Sequence, residues 1–178
     1  MTWPCNIIEY DGKKPRVPHS AYIDPLARVF GDVTLGEEVV VLYGTIIRGD
    51  DDRVVVGDRS VILENSLVEA PKGHPVNIGR EALISHGAIV HGAKVGDRAL
   101  IGIGAIVLDG AEIGDEAIVG AGALVPPGKR VPPRTLVLGV PAKPVKELGD
   151  EDLERVREEL EAVHRKAKQY RRILPRPC

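Results

Sequence analysis

Aliphatic residues return at every sixth position along most of this chain, a period produced neither by an amphipathic helix, at about 3.6, nor by a half-buried strand, at about two. The series runs through Ile23, Val29, Leu35, Val41 and Ile47, resumes at Val56, Ile62 and Val68, and again at Ile78, Ile84 and Val90. It then continues through Val95, Ile101, Val107, Ile113, Val119 and Val125. Four positions after the aliphatic of each unbroken unit stands a small or β-branched residue, from Ala27, Val33, Val39 and Thr45 through Ser60, Ser66, Ala82 and Ala88 to Ala99, Ala105, Ala111, Ala117 and Ala123. One short parallel strand per unit satisfies both patterns, with the aliphatic inward, the small residue in the bend and three units closing a triangular coil. Hairpins would instead alternate with period two and carry turn dipeptides between strands. Glycine follows the aliphatic at Gly36, Gly57, Gly79, Gly96, Gly102, Gly114 and Gly120, where tight turning and positive φ are expected. Aromatics are 3% of the chain, so stacked aliphatics must supply the core.

The repeat breaks after the units that start at Ile47, Val68 and Val90. Those units lie three apart, so with three per coil the breaks fall in one column at one corner of the prism. Three extra residues near 48–55 and four near 69–77 are expected to form loops there, and one residue is missing before Val95. Insertions gathered on one edge mark the working edge of a repeat protein. After Val125 the segment PPGKRVPPRTLVLGVPAKPVKEL is expected to leave the coil as an extended exit. From Asp150 to about residue 173, Leu153, Val156, Leu160, Val163, Ala167 and Tyr170 fall at helical spacing, giving one apolar stripe on a charged helix. The expected organisation is an all-β solenoid over residues 1–146, including a short N-terminal extension, and a C-terminal helix within 147–178 packed on it.

A formal net charge of -2 offers no basic field for nucleic acid or an anionic membrane. No run of eighteen apolar residues and no basic-then-apolar start occurs, so a soluble cytoplasmic protein is expected. Cys5 and Cys178 have no metal or redox spacing and are taken as incidental thiols, with a disulfide between the termini as the alternative.

In the column of breaks, the residues just after the inward aliphatics are Arg48, Glu69 and His91. They are expected to stack at coil spacing, which brings Glu69 and His91 toward one ion. His86, two places after Ile84, belongs to the preceding wall and points elsewhere, so a threefold neighbour is needed to bring it to that ion. Two imidazoles and a carboxylate suit catalytic zinc with an open position, and also ferrous iron. The bland alternative for Glu69 is a solvated carboxylate or one paired with Arg48.

The stretches IIRGDDDRVVVGD, GHPVNIG, ISHGAIVHGAKVG, GIGAIVLDGAEIG, IVGAGALVPPG and LVLGVPAKPVKEL resemble the γ-class carbonic anhydrase family over roughly residues 10–150. The resemblance implies a left-handed parallel β-helix of hexapeptide repeats, a homotrimer, and a divalent metal at each interface: zinc in the first place, with iron or cobalt possible. It implies reversible hydration of carbon dioxide to bicarbonate by a hydroxide generated on that metal. By position His86 and His91 match two of the family's three histidine ligands, and Arg48 and Asp50 match its RGD segment near the subunit interface. Glu69 stands where the family has the third histidine. Leu63 stands where it has an active-site Gln, and the neighbouring Glu64 is expected to stack under His86 as an acceptor for that ring. His74, in the second insertion, is a candidate proton carrier. The two departures raise an alternative, a weak or inactive metal-binding homologue or scaffold. Acyl transfer from coenzyme A, known from other proteins with this repeat, is the more distant reading, because no cofactor-cradling arm is visible.

Overall fold

The structure, a computed structural model, describes residues 6–174; Cys5 and Cys178 lie outside the described residues. The chain winds into a parallel β-solenoid of about seven turns and ends in a single helix, Asp150–Ile173. Strand register places the inward aliphatics in three stacks. One is Ile23, Val41, Ile62, Ile84, Ile101, Val119 and Val137; the second is Val29, Ile47, Val68, Val90, Val107 and Val125. The third is Leu35, Val56, Ile78, Val95, Ile113 and Val131. All are buried, as are the corner residues from Ala27 to Ala123. Each such aliphatic contributes about 1.5–3 kcal/mol relative to an exposed position.

Three expectations need correcting. The three extra residues after Ile47 do not form a loop: Ile46–Val56 is one continuous strand, paired with Arg28–Leu35 across a bulge between Gly31 and Val33. The solenoid does not stop at Val125, since Arg130–Val131 and Thr135–Leu138 add parallel strands in the same six-residue register. The chain then folds back antiparallel as Lys143–Glu147. The glycines that follow the inward aliphatics do not carry the positive φ. They are small because coils touch there: a Cβ on Gly57 would stand 2.6 Å from the carbonyl carbon of Gly79. The left-handed residue comes two positions later.

On one corner that residue is charged in six successive coils, giving the column Glu38, Arg59, Glu81, Arg98, Glu116 and Arg134. Signs alternate up the column, and neighbouring coils pair through it. Arg59 reaches Glu38 at 2.7 Å and Glu81 at 3.3 Å, and Glu116 reaches Arg98 at 2.9 Å and Arg134 at 3.5 Å. The helix ties into the same corner through Glu161 with Arg59 and Asp150 with Arg134.

The prism has three outer faces of different chemistry. Leu160, Val163, Ala167 and Tyr170 of the helix cover the first, packing on Tyr22, Val40, Leu42, Val61, Leu63 and Leu83. Glu and Asp in the helix's first turn and Arg in its last complement its dipole. On the second face the outward column is Arg28, Ile46, Leu67, Ile89, Ile106 and Leu124, with Ile46 exposed and the others half-buried. The third face is polar, with Glu112 bridging Lys94 at 3.2 Å and Arg130 at 3.0 Å.

Candidate metal centre

The column of breaks forms as expected, with Arg48 beside Glu69 and Glu69 beside His91 in consecutive coils. Because Ile47, Val68 and Val90 point inward, the residues that follow them point out, all three half-buried. Arg48 makes a forked pair with Asp50, Nε to Oδ1 at 3.0 Å and Nη2 to Oδ2 at 2.5 Å. The fork to Arg48 holds the Asp50 carboxyl below the usual carboxylate range and strengthens the protonation of Arg48. The remaining arm, Nη1, lies 3.7 Å from Glu69 Oε1. Glu69 is therefore an ion-pair partner of Arg48 as well as a neighbour of His91.

His86 sits at the corner before the exposed apolar face and His91 at the corner after it, with the strand Ile89–His91 between. Glu64 stacks beneath His86, one coil earlier, with Oε2 2.7 Å from Nδ1. That approach lacks hydrogen-bond geometry, and Oε2 is buried with no hydrogen-bond partner. The two groups are in close contact, yet the oxygen's hydrogen-bonding capacity is unused. His91 Nδ1 is hydrogen-bonded to Asp109 one coil later. Sequence reasoning passed over Asp109, although one coil's length added to His91 leads to it. A carboxylate faces Nδ1 on both rings, through a hydrogen bond at His91 and through proximity alone at His86, an arrangement that favours a proton on Nδ1 and would leave Nε2 as the donor. Metal-binding histidines have this arrangement. The donor chemistry therefore fits a divalent metal, with the buried, unpartnered Glu64 oxygen standing beside the His86 ring.

Within one chain the donors stay apart: among the described residues no group of three His, Cys, Asp or Glu gathers to hold an ion. Leu63 is buried in the cluster under the helix and brings no hydrogen-bonding group to the site. The second insertion is a loop, as expected. His74 N–H donates to Pro71 O at 2.9 Å, and Gly73 N–H donates to Asp52 Oδ2 at 3.1 Å, which pins the loop to the bulged strand. A Cβ on Gly92 would stand 2.8 Å from His74 Cβ, so the loop folds onto the backbone next to His91, with His74 itself exposed. No helix of the described residues is long and apolar enough to cross a membrane.

Residues 92–127 match the family model described as bacterial transferase hexapeptide (six repeats). The chain is 44% identical to the carbonic anhydrase of Geobacillus kaustophilus over 86% of each protein. It is 48% identical to a probable carbonic anhydrase of Methanocaldococcus jannaschii over 74% of this chain and 83% of that one. Among solved structures it resembles the BC4754 gene product of Bacillus cereus, described as a candidate acetyltransferase, with 36% identity and a TM-score of 0.92 over 94% of this chain and 97% of that one. The solenoid is thus the left-handed β-helix of hexapeptide-repeat proteins, an exception to the right-handed crossover of ordinary parallel sheets. With its paired His–carboxylate contacts on two corners and these identities across most of its length, the chain belongs to the γ-class carbonic anhydrase family.

Proposed function

We propose that three copies of the chain assemble through the exposed apolar face, and that each interface holds one divalent metal between Glu69 and His91 of one copy and His86 of the next. The activity proposed is reversible hydration of carbon dioxide. The observation that carries this reading is the pair of Nδ1–carboxylate contacts, His86 with Glu64 and His91 with Asp109, at the two corners that flank that face. Ile46 is 45% exposed on the face, and Tyr43 and Ile103, above and below the Glu64–His86 contact, are 48% and 59% exposed. Apolar surface of this kind on an otherwise charged protein is what an assembly buries.

Zinc is the first metal to try, with iron and cobalt as alternatives, since two imidazoles and one carboxylate suit all three. A divalent ion held there acts as a Lewis acid that makes water nucleophilic toward carbon dioxide near neutral pH. Asp109, by its hydrogen bond, fixes the direction of the His91 ring, and the Glu64 carboxylate, by its charge beside Nδ1, favours a proton on that nitrogen of His86. Asp50 fixes the Arg48 guanidinium, which in turn sets the position of Glu69. Leu63 supplies no group to orient a nucleophile, and this favours a second reading in which the site binds metal and catalyses weakly or not at all.

The test compares metal content and stopped-flow hydration rates for protein loaded with zinc, cobalt and anaerobic iron against His86→Ala,His91→Ala. Equal rates would end the anhydrase reading, and equal metal content the metal-site reading. A large gain on Glu69→His,Leu63→Gln would mark a site that has drifted from full activity. Ile106→Asp is expected to give monomers in sedimentation. The hexapeptide match leaves acyl transfer as a distant option, which saturable micromolar binding of acetyl-coenzyme A would revive.

A further inference from the structure

We infer that Arg48 is a positioning residue for the third metal donor: it occupies one oxygen of Glu69 and part of its charge, so that Glu69 meets the ion through a single oxygen as a weakened ligand. The inference rests on the metal-site reading above. Its basis is the order of the column, where Glu69 stands between Arg48 on one coil and His91 on the next. The guanidinium is not free to turn away. Its Nε and Nη2 are locked in the fork with Asp50, and Nη1 is the arm left facing Glu69 Oε1 at 3.7 Å. Glu69 has a side-chain exposure of 20%, so water screens the pair only in part.

The consequence lies in coordination. A carboxylate with both oxygens available can bind an ion through two of them, raise the coordination number and fill the position a substrate needs. A carboxylate with one oxygen drawn toward a guanidinium offers the other, as an imidazole offers one nitrogen. A chain with Glu in place of the third histidine thus keeps the one-atom geometry of a three-histidine site, and Arg48 offsets the added negative charge.

The experiment uses the assembled protein loaded with cobalt, measuring the visible absorption of the ion and its affinity by chelator competition. Arg48→Gln is expected to weaken the absorption as the site moves from four-coordinate toward five-coordinate. It should tighten binding by about tenfold, on the scale set by outer partners of metal ligands. Arg48→Lys keeps a charge but not the fork, and is expected to change the spectrum in the same direction with a smaller gain in affinity. In the Glu69→His background Arg48→Gln should leave the spectrum unchanged and alter affinity at least threefold less, because only through-space repulsion remains to be removed. An unchanged spectrum in both Arg48 variants, or equal changes in the parent and the Glu69→His background, overturns the inference. If instead the His86→Ala,His91→Ala control binds cobalt as the parent does, it is the metal-site reading that falls. Sedimentation of each variant separates these outcomes from loss of assembly.

Discussion

Glu64→Gln should move metal affinity and metal-free stability in opposite directions. The Glu64 side chain is only 14% exposed, its Oε2 has no hydrogen-bond partner among the described residues, and His86 Nδ1 stands 2.7 Å from that oxygen. A buried carboxylate oxygen without a donor is a cost to the folded chain, so the near-isosteric amide is expected to leave the metal-free protein as stable or more stable by up to about 1 kcal/mol. For a chain of this size that is an upward shift in Tm of about 2–4 °C. Metal affinity should fall, because the neutral amide attracts the Nδ1 proton less and the Nε2 lone pair becomes a poorer donor. Losses of about 10-fold to 100-fold, or about 1.4–2.7 kcal/mol, are the scale for such partners. Asp109 is the internal comparison. Its side chain is 37% exposed, so water already screens its pairing with His91, and Asp109→Asn should sit at the tenfold end. Chelator competition for zinc and calorimetry on metal-free protein read the two quantities. A lower Tm with affinity unchanged, or a larger affinity loss for Asp109→Asn than for Glu64→Gln, would refute the reasoning.

Gly57→Ala is expected to destabilise by more than about 3 kcal/mol, because the new methyl meets the Gly79 backbone rather than a yielding side chain, and thermal melts would show it. Truncation before Asp150 should leave protein that aggregates and binds a hydrophobic dye, since Tyr22, Val40, Leu42, Val61 and Leu83 lose their cover; a well-dispersed monomeric or trimeric product would contradict this. Asp50 is held below its usual value of 3.8 by the Arg48 fork, so its contribution to stability is present above that value and is lost as pH falls through the lowered folded value. Asp50→Asn should therefore destabilise at pH 6 and show less further loss between pH 4 and pH 2 than the parent, as acid titrations of stability would record.

The winding was legible because every position of a coil meets the same neighbours above and below, so Val68 and Val90 report the same environment as Ile47. Where a residue's role changed without its class changing, the reading missed it. Prolines 126, 127, 132 and 133 resemble an exit from the fold, yet they occupy corners and outer positions that need no ladder donor, and Val131 and Val137 keep the period between them. The extra residues after Ile47 look like a loop, but a parallel partner of eight residues absorbs them as a bulge. The His86 and His91 neighbourhoods followed from coil counting, and so did Glu64. Asp109 was equally countable but drew no attention as an Asp–Gly turn residue. The Arg48–Glu69 pair was among the alternatives that stacking offered for Glu69, but which guanidinium arm faces it depends on the Asp50 fork, a rotamer matter that spacing does not encode.

The alternating column Glu38, Arg59, Glu81, Arg98, Glu116, Arg134 gives the solenoid a memory of parity. Losing or duplicating one coil would set Glu against Glu or Arg against Arg at the splice, and a change of two coils would restore opposite neighbours. The inward aliphatic stacks are indifferent to that distinction, since any coil fits on any other. Length variation tolerated by this scaffold is therefore expected in pairs of coils, a restriction imposed from the outside of the prism rather than from its core.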